Sequence, residues 1–492
     1  MTAETTILLS LLIPALGAVG IAVSSRWPNV RESVTLVTAG LLMINVWSLI
    51  PGIMDGGRPF VSLFEFLPGV AIAFRVEPLG MLFAALASGL WIVNSIYSIG
   101  YMRGNKEKHQ TRFYICFAIA LSAAMGIAFA DNLLTLFLFY EILTLSTYPL
   151  VSHKGDQPTV RSARTYIGIL LGTSIGLLLP AILWTLSAAG TLTFTEGGIL
   201  AGKLSGPEVG LLLGLFAFGV GKAALMPVHK WLPAAMVAPT PVSALLHAVA
   251  VVKAGVFSIT KIIVYIFGID FLDAEPSAAW LPLVAAFTVV AASIVALRQT
   301  NLKRLLAYST ISQLSYIVLA AAVLKPLSEI GAAIHMVTHA FGKITLFFAA
   351  GAIYVASKKT ELHQLHGIAH RMPWTMAAFT IGALSMIGVP PTAGFVSKWY
   401  ILGGALEAQN YVAIFTLVAS TALNAAYFLP IIYRAWVAPE RPLPESSPYR
   451  NHGEAPWPMV VALTTTAALT LIFFIYNQPV LDLEAQLVGR NP

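Results

Sequence analysis

The chain has 492 residues, of which 57% are hydrophobic and only 10% charged, with a mean hydropathy of +0.79. An ordinary soluble domain carries roughly 25% charged residues. These values therefore exclude a cytoplasmic enzyme, a disordered chain and a secreted disulfide scaffold. One cysteine, Cys116, gives no disulfide framework and too few thiolates for this chain alone to hold an iron–sulfur cluster. The net charge of +7 would admit a nucleic-acid partner, but its placement along the chain assigns it to membrane topology.

A membrane helix needs about 20 mostly apolar residues. Fourteen segments qualify: 5–24, 33–53, 77–101, 111–130, 132–151, 165–189, 208–233, 240–268, 279–298, 303–324, 327–357, 373–405, 410–436 and 456–477. This predicts an all-α integral membrane protein of about 14 transmembrane helices. The start MTAETT lacks a basic region, so the first helix is expected to be retained. The stretch 54–76, broken by Gly56, Gly57, Pro59 and Pro68, reads as a loop or short hairpin.

Orientation follows from the basic residues. The loops after spans 1, 3, 5, 9, 11 and 13 hold 18 Lys and Arg, and the opposite set with the C-terminal tail holds five. By the positive-inside rule both termini face away from the cytoplasm. The expected location is a bacterial-type cytoplasmic (inner) membrane, multi-pass, with no nucleic-acid partner.

Six lysines remain, inside or at the edge of a span: Lys222, Lys230, Lys253, Lys261, Lys343 and Lys398. Lys230 and Lys261 are placed to snorkel from helix ends. The other four lie too deep for that. An ionisable group at such depth normally faces the bundle interior or a water-filled cavity and marks an ion or proton pathway. The competing structural reading is a buried lysine satisfied by carbonyls. Glu141 is the only acid this reading places deep, and it is expected to pair with Lys222 and tune its proton affinity.

Histidines extend the set. His335, His339 and Lys343, spaced i, i+4 and i+8, form one stripe about 12 Å long on a helix. Such a row suits proton relay, each group reaching the next through water. His229 and His247 add to the supporting polar axis, as does Gln313. His247 lies six residues before Lys253, off its helix face. Gln313 belongs to a strip with Ser309, Thr310, Ser312 and Ser315, suited equally to holding water or to bonding neighbouring helices.

Spans 7 and 12 carry helix breakers near buried lysines: Pro227 after Lys222, and Pro390 and Pro391 before Lys398. Paired broken helices in two halves are the sequence signature of an inverted-repeat transporter. The predicted organisation is N-terminal helices 1–3 over 1–110, a first inverted repeat of helices 4–8 over 111–268, a second of helices 9–13 over 279–437, and a loop, helix 14 and tail over 438–492.

Several motifs carry no chemistry. GVGK at 219–222 lacks the rest of a phosphate loop and lies inside a span. His363, His366 and His370 read as a polar helix face rather than a metal site. There is no dinucleotide fingerprint, HExxH or CxxC, so no cofactor or metal is expected, and redox or hydrolytic chemistry is not visible in the sequence.

Four segments carry a resemblance: PVHKWLPAAMVAPTPVSALLHAVAVVKAGVF (227–257), LRQTNLKRLLAYSTISQLSYI (297–317), HMVTHAFGKITLFFAAG (335–351) and GVPPTAGFVSKW (388–399). In these the chain resembles antiporter-like subunits of the complex I and Mrp superfamily. The resemblance implies fourteen helices, two inverted five-helix repeats with broken helices 7 and 12, and a midplane polar axis that moves protons. On that axis Glu141 matches the glutamate of the fifth helix and Lys222 the lysine of the broken seventh. His247 and Lys253 match the eighth-helix pair, His335, His339 and Lys343 the eleventh-helix segment, and Lys398 the lysine of the broken twelfth. Asn301 departs from an aspartate frequent in the family, and Gln313 from a histidine found in some members. The resemblance implies a proton-translocating subunit within a larger membrane complex, with a D-type Mrp subunit of a Na+/H+ antiporter as the expected form. The alternative is the membrane subunit of an NADH:quinone oxidoreductase or membrane-bound hydrogenase. A sodium site needs several oxygen ligands, so any sodium path is expected mostly in partner subunits.

Overall fold

The computed structural model describes residues 2–67, 69–245, 249–440, 449 and 451–488. His247 lies outside the described residues. Helices dominate, and their ends follow from local chemistry. α1 (Ala3–Val23) is capped by Thr2, and α2 (Pro28–Trp47) and α3 (Pro78–Gly104) open on proline, whose fixed φ suits the first turn. Between them Phe60–Leu67 (β1) pairs antiparallel with Val70–Arg75 (β2), so the broken stretch forms a hairpin. α4 (Gln110–Ala128) precedes α5 (Leu133–Val151), whose Asn132 cap accepts from Thr135 N–H at 2.9 Å.

The next helical run, α6 (Gln157–Ala189), begins eight residues before the predicted span. Asp156 caps it and Pro158 sits in its first turn, which extends the helix past the apolar stretch. α7 (Pro207–Gly219) stops short, and α8 (Val251–Ile262) follows the broken segment. The second half runs through α9 (Trp280–Leu297), α10 (Leu302–Ala322) and α11 (Pro326–Ser357). It continues with α12 (Pro373–Ile387), α13 (Ala393–Glu407) and α14 (Tyr411–Trp436). α15 (Trp457–Ile475) and a short α16 (Gln478–Ala485) close the chain.

Among the described residues, eleven helices are long and apolar enough to cross a membrane. At the predicted positions 7, 8 and 12 the helices are interrupted. The protein is thus an all-helical, multi-pass membrane bundle with one β-hairpin. α10 and α11 form its centre: 94% and 83% of their most apolar windows are buried, against 39% for α1 and α15. Leu16, Ile44, Phe287, Phe415 and Ile475 point outward, as expected of lipid-facing positions.

The sequence predicted a helical face for His363, His366 and His370. Instead, Leu362–Gln364 and Ile368–His370 are separate single turns with Gly367 at φ +67 between them. A left-handed glycine ends one turn before the next begins, so no common face forms.

Candidate functional site

The two helix breaks position two of the lysines. α7 ends at Gly219, and Lys222 follows in the turn Gly221–Ala223, with Ala224 left-handed at φ 58. The indole of Trp231 donates to Gly221 O at 2.8 Å and fixes the break. α8 presses directly against it: a Cβ on Gly255 would lie 2.4 Å from Ala223 N. Lys222 is fully buried. Its Nζ donates to Tyr140 O at 2.8 Å and Thr144 Oγ1 at 2.6 Å, and lies 3.0 Å from the Tyr140 ring centroid.

The expected Glu141–Lys222 ion pair is not formed. Both oxygens of Glu141 are enclosed and make no hydrogen bond. Tyr140 and Thr144, at i and i+4, share the face of α5 that meets the break. Glu141 is one residue round, about 100° away. The carboxylate therefore acts on Lys222 only through space.

At the second break α12 ends at Ile387, Gly388 is left-handed, and Pro390 and Pro391 are exposed. A helix end leaves its last carbonyls without intrahelical partners. Lys398 on α13 takes them: its Nζ donates to Ile387 O at 2.7 Å, Met386 O at 3.1 Å and Thr421 Oγ1 at 3.2 Å. Gly394 lets α13 turn back against the end of α12, where a Cβ would meet Ser385 O.

Between the breaks lie two further lysines, both fully buried. Lys253 Nζ and His339 Nδ1 are 2.5 Å apart. His339 and His335 have ring centroids 6.0 Å apart. His335 in turn bonds Ser397 Oγ at 2.8 Å and Gln313 Oε1 at 3.1 Å. Lys343 leaves the expected stripe: its Nζ donates to Ser309 Oγ at 2.7 Å on α10. The row predicted on α11 therefore splits into two branches, because its members reach partners on different helices.

Other expectations fare differently. Gln313 joins the histidine branch and Ser312 bonds Ser293 of α9 at 2.9 Å, so at these two positions the polar strip bonds neighbouring helices. His229 sits beside Tyr308 with ring centroids 6.5 Å apart and is not hydrogen-bonded to any of the four lysines. Pro227 is exposed, and Lys230 is exposed as expected of a snorkelling residue. Lys261 does not snorkel. It is fully buried, 3.3 Å from Glu77 Oε2, and donates to Ala130 O at 2.7 Å.

Glu141 is not the only deep acid either: Glu77, Glu329 and Glu484 are also buried. The predicted spans place Glu77 and Glu329 at span edges and Glu484 beyond the last span, and only packing covers them. Sequence reasoning also gave no weight to Tyr140, Thr144, Ser397, Asn424 and Tyr427. An i, i+3 or i, i+4 pair of hydroxyl or amide groups in an apolar span was the available signal.

A hydrated path is compatible with this geometry. The four lysines carry no ion pair among the described residues and are held by hydroxyls, carbonyls or imidazole. Such a lysine can change protonation state without stranding a partner carboxylate. On the face carrying the basic loops a cavity of about 610 Å³ is lined by Lys154, Lys230, Lys303, Arg304 and Lys359, in keeping with the charge bias of that face.

A bundle with lysines at its helix breaks defines the class, and the comparisons give the family. Residues 130–424 match the family model described as NADH:quinone oxidoreductase/Mrp antiporter, TM. The chain belongs to this family. It is 32% identical over 427 residues to NADH-quinone oxidoreductase subunit N of Desulforudis audaxviator, covering 84% of each chain. It is 31% identical over 420 residues to subunit L of Mycobacterium tuberculosis, covering 81% of this chain and 63% of that relative. In structure it is similar to a chain of the Mrp complex from Dietzia sp. DQ12-45-1b, with TM-score 0.88, 22% identity, and 99% and 97% of the two chains covered. It is also similar to a chain of a membrane-bound sulfane sulfur reductase, an archaeal respiratory membrane complex, with TM-score 0.83, 24% identity, and 98% and 96% covered.

Proposed function

We propose that this chain is a proton-translocating membrane subunit of a multisubunit complex of the complex I and Mrp type. One observation carries the reading: two buried lysines at helix breaks, joined by two more, none of them ion-paired among the described residues. A proton enters the first repeat from the cytoplasmic side near the eighth span, passes Lys222, Lys253 and Lys343, and leaves through the second repeat near Lys398. Glu141 modulates Lys222 through space. His335, His339 and Gln313 carry the histidine branch, and His247 and His229 belong to the supporting polar axis. Eleven continuous helices and three interrupted ones make fourteen spans, arranged as inverted repeats over 111–268 and 279–437, with both termini outside the cytoplasm and the chain in an inner membrane.

Two drivers fit this subunit. One is cation gradient coupling in an Mrp-type Na+/H+ antiporter, with any sodium path mostly in partner subunits. The other is electron transfer on partner chains, favoured by the near full-length likeness to a subunit N of NADH-quinone oxidoreductase. Gentle solubilisation from native membranes, followed by mass spectrometry of the co-purifying chains, separates them. Small hydrophobic partners alone mean antiport, whereas flavin or iron–sulfur partners mean a redox-driven pump. Lys222→Ala in the intact complex tests the core of the proposal: unchanged transport would leave only a scaffold role.

A further inference from the structure

Tyr427 on α14 has no place in the path above, yet it joins two features of the structure. Its hydroxyl lies 2.9 Å from Ser309 Oγ, and Ser309 accepts from Lys343 Nζ at 2.7 Å. The same tyrosine, 4% exposed, lines a cavity of about 360 Å³ together with Arg298, Gln299, His363 and Arg434. Arg298, Gln299 and His363 lie in loops that carry the basic excess, and Arg434 in the last turn of α14 on the same face. Two hydroxyls, those of Tyr427 and Ser309, therefore link a residue of the cavity wall to a fully buried lysine.

On its other side Tyr427 donates to Asn424 Oδ1, and Asn424 Nδ2 donates to Met386 O at 3.2 Å. Met386 O also accepts from Lys398. This side cannot carry a proton, because an amide and a peptide carbonyl do not exchange one in the way hydroxyls and amines do.

We propose that the cavity lined by Tyr427 is a second proton-access port, serving Lys343 directly, with Tyr427 and Ser309 as relay residues and Asn424 as the latch. The inference rests on the proton-translocating reading above. The bond directions give the two states. When Lys343 is an ammonium it donates to Ser309, the Ser309 O–H turns to Tyr427, and the Tyr427 O–H is parked on Asn424. When Lys343 is a neutral amine the chain reverses. A hydronium entering the cavity from bulk water gives a proton to the Tyr427 oxygen and reverts to water, the Tyr427 proton passes to Ser309, and the Ser309 proton passes to the amine. One O–H breaks as the next forms, the net change being one proton from the cavity to Nζ. No acid lines the cavity among the described residues, so it offers no carboxylate ligand for a metal cation and no carboxylate that would hold the proton back. The groups facing Lys343 are Lys253 from α8, Ser309 and the Leu306 carbonyl from α10, and the Phe428 ring from α14, with Tyr427 reached through Ser309.

The test uses the purified whole complex in proteoliposomes. Tyr427→Phe keeps the ring and removes the hydroxyl, and transport should fall about 100-fold, the lower end of the range for a positioned proton-transfer group. Gln299→Cys, made in a Cys116→Ser background, should react with a membrane-impermeant thiol reagent from the face carrying the basic loops only, and the labelled complex should transport more slowly. Full activity in Tyr427→Phe overturns the port, as does labelling of Gln299→Cys that leaves transport unchanged. If Lys222→Ala and Lys398→Ala are also silent, the transport reading itself has failed. If they are inactive while Tyr427→Phe is not, only the port has failed.

Discussion

The two helix breaks hold their lysines in opposite ways. Lys222 leaves its own helix and is received by another, through Tyr140 and Thr144 of α5. Lys398 is received by the end of the preceding helix in its own break, through Met386 O and Ile387 O. The first arrangement ties the lysine to a neighbour that also carries Glu141. The second ties it to carbonyls that exist only because the helix stops there, at a helix C-terminus where positive charge is favoured. Lys222 is thus placed to respond to a charge change on α5, and Lys398 to the geometry of its break.

Lys261 supplies the contrast to both. It is equally buried but faces Glu77 in an ion pair and donates to Ala130 O. Of the five deep lysines it alone has a carboxylate within ion-pair distance among the described residues. Lys261 is thus fixed by a carboxylate, whereas the other four lysines are held only by hydroxyls, carbonyls or imidazole.

That distinction is easiest to break at Glu77. Glu77→Gln leaves an uncompensated buried charge, which typically costs about 3–5 kcal/mol. The expected result is poor assembly of the complex, read as yield on native gels. A well-assembled, fully active variant would remove the structural role of Lys261. Next come the axis lysines. Lys398→Arg keeps the charge but cannot release its proton, so proteoliposome transport should drop about 100-fold, as in Lys398→Ala. Retained transport in the arginine variant would show that charge alone suffices at this break.

The received-by-a-neighbour arrangement is sharpened by Thr144→Val, which removes one acceptor from Lys222. A hydrogen bond to a charged group contributes about 1.5–3 kcal/mol, so transport should fall about tenfold or more while assembly is kept. Glu141→Gln should have a smaller effect, a change of about threefold with a shifted pH optimum, because no direct pair is broken. A loss as deep as that of Lys222→Ala would mean that the pair forms during turnover.

The smallest expected effect lies outside the spans. Burial holds the Glu484 carboxyl up at about 8. The folded state binds this proton more tightly than the unfolded chain, so stability declines as pH rises from the ordinary carboxylate range through about 8. Glu484→Gln should flatten that decline in thermal denaturation of the complex, and an unchanged slope would assign the pH dependence to other groups.

The sequence by itself determined that this is a multi-pass helical membrane protein, and it located the breaks beside Lys222 and Lys398 but not the interruption within the eighth span. Hydropathy and proline act over a few neighbouring residues and are readable locally, although Pro14 and Pro430 sit inside continuous helices. It also picked out Lys222, Lys253, Lys343 and Lys398, because a charge in an apolar run is visible without a partner. Tertiary structure alone decided what each lysine touches. Glu141 was expected on Lys222 and instead makes no hydrogen bond, since one residue of helix rotation turns it from the face that meets the break. Lys343 was expected in line with His339 and instead bonds Ser309. Asn424 and Tyr427 gave almost no signal in an apolar span, and became visible only when packing set them beside Ser309 and Met386. Depth is a property of the segment, but pairing depends on helix rotation and contact, which no local pattern encodes.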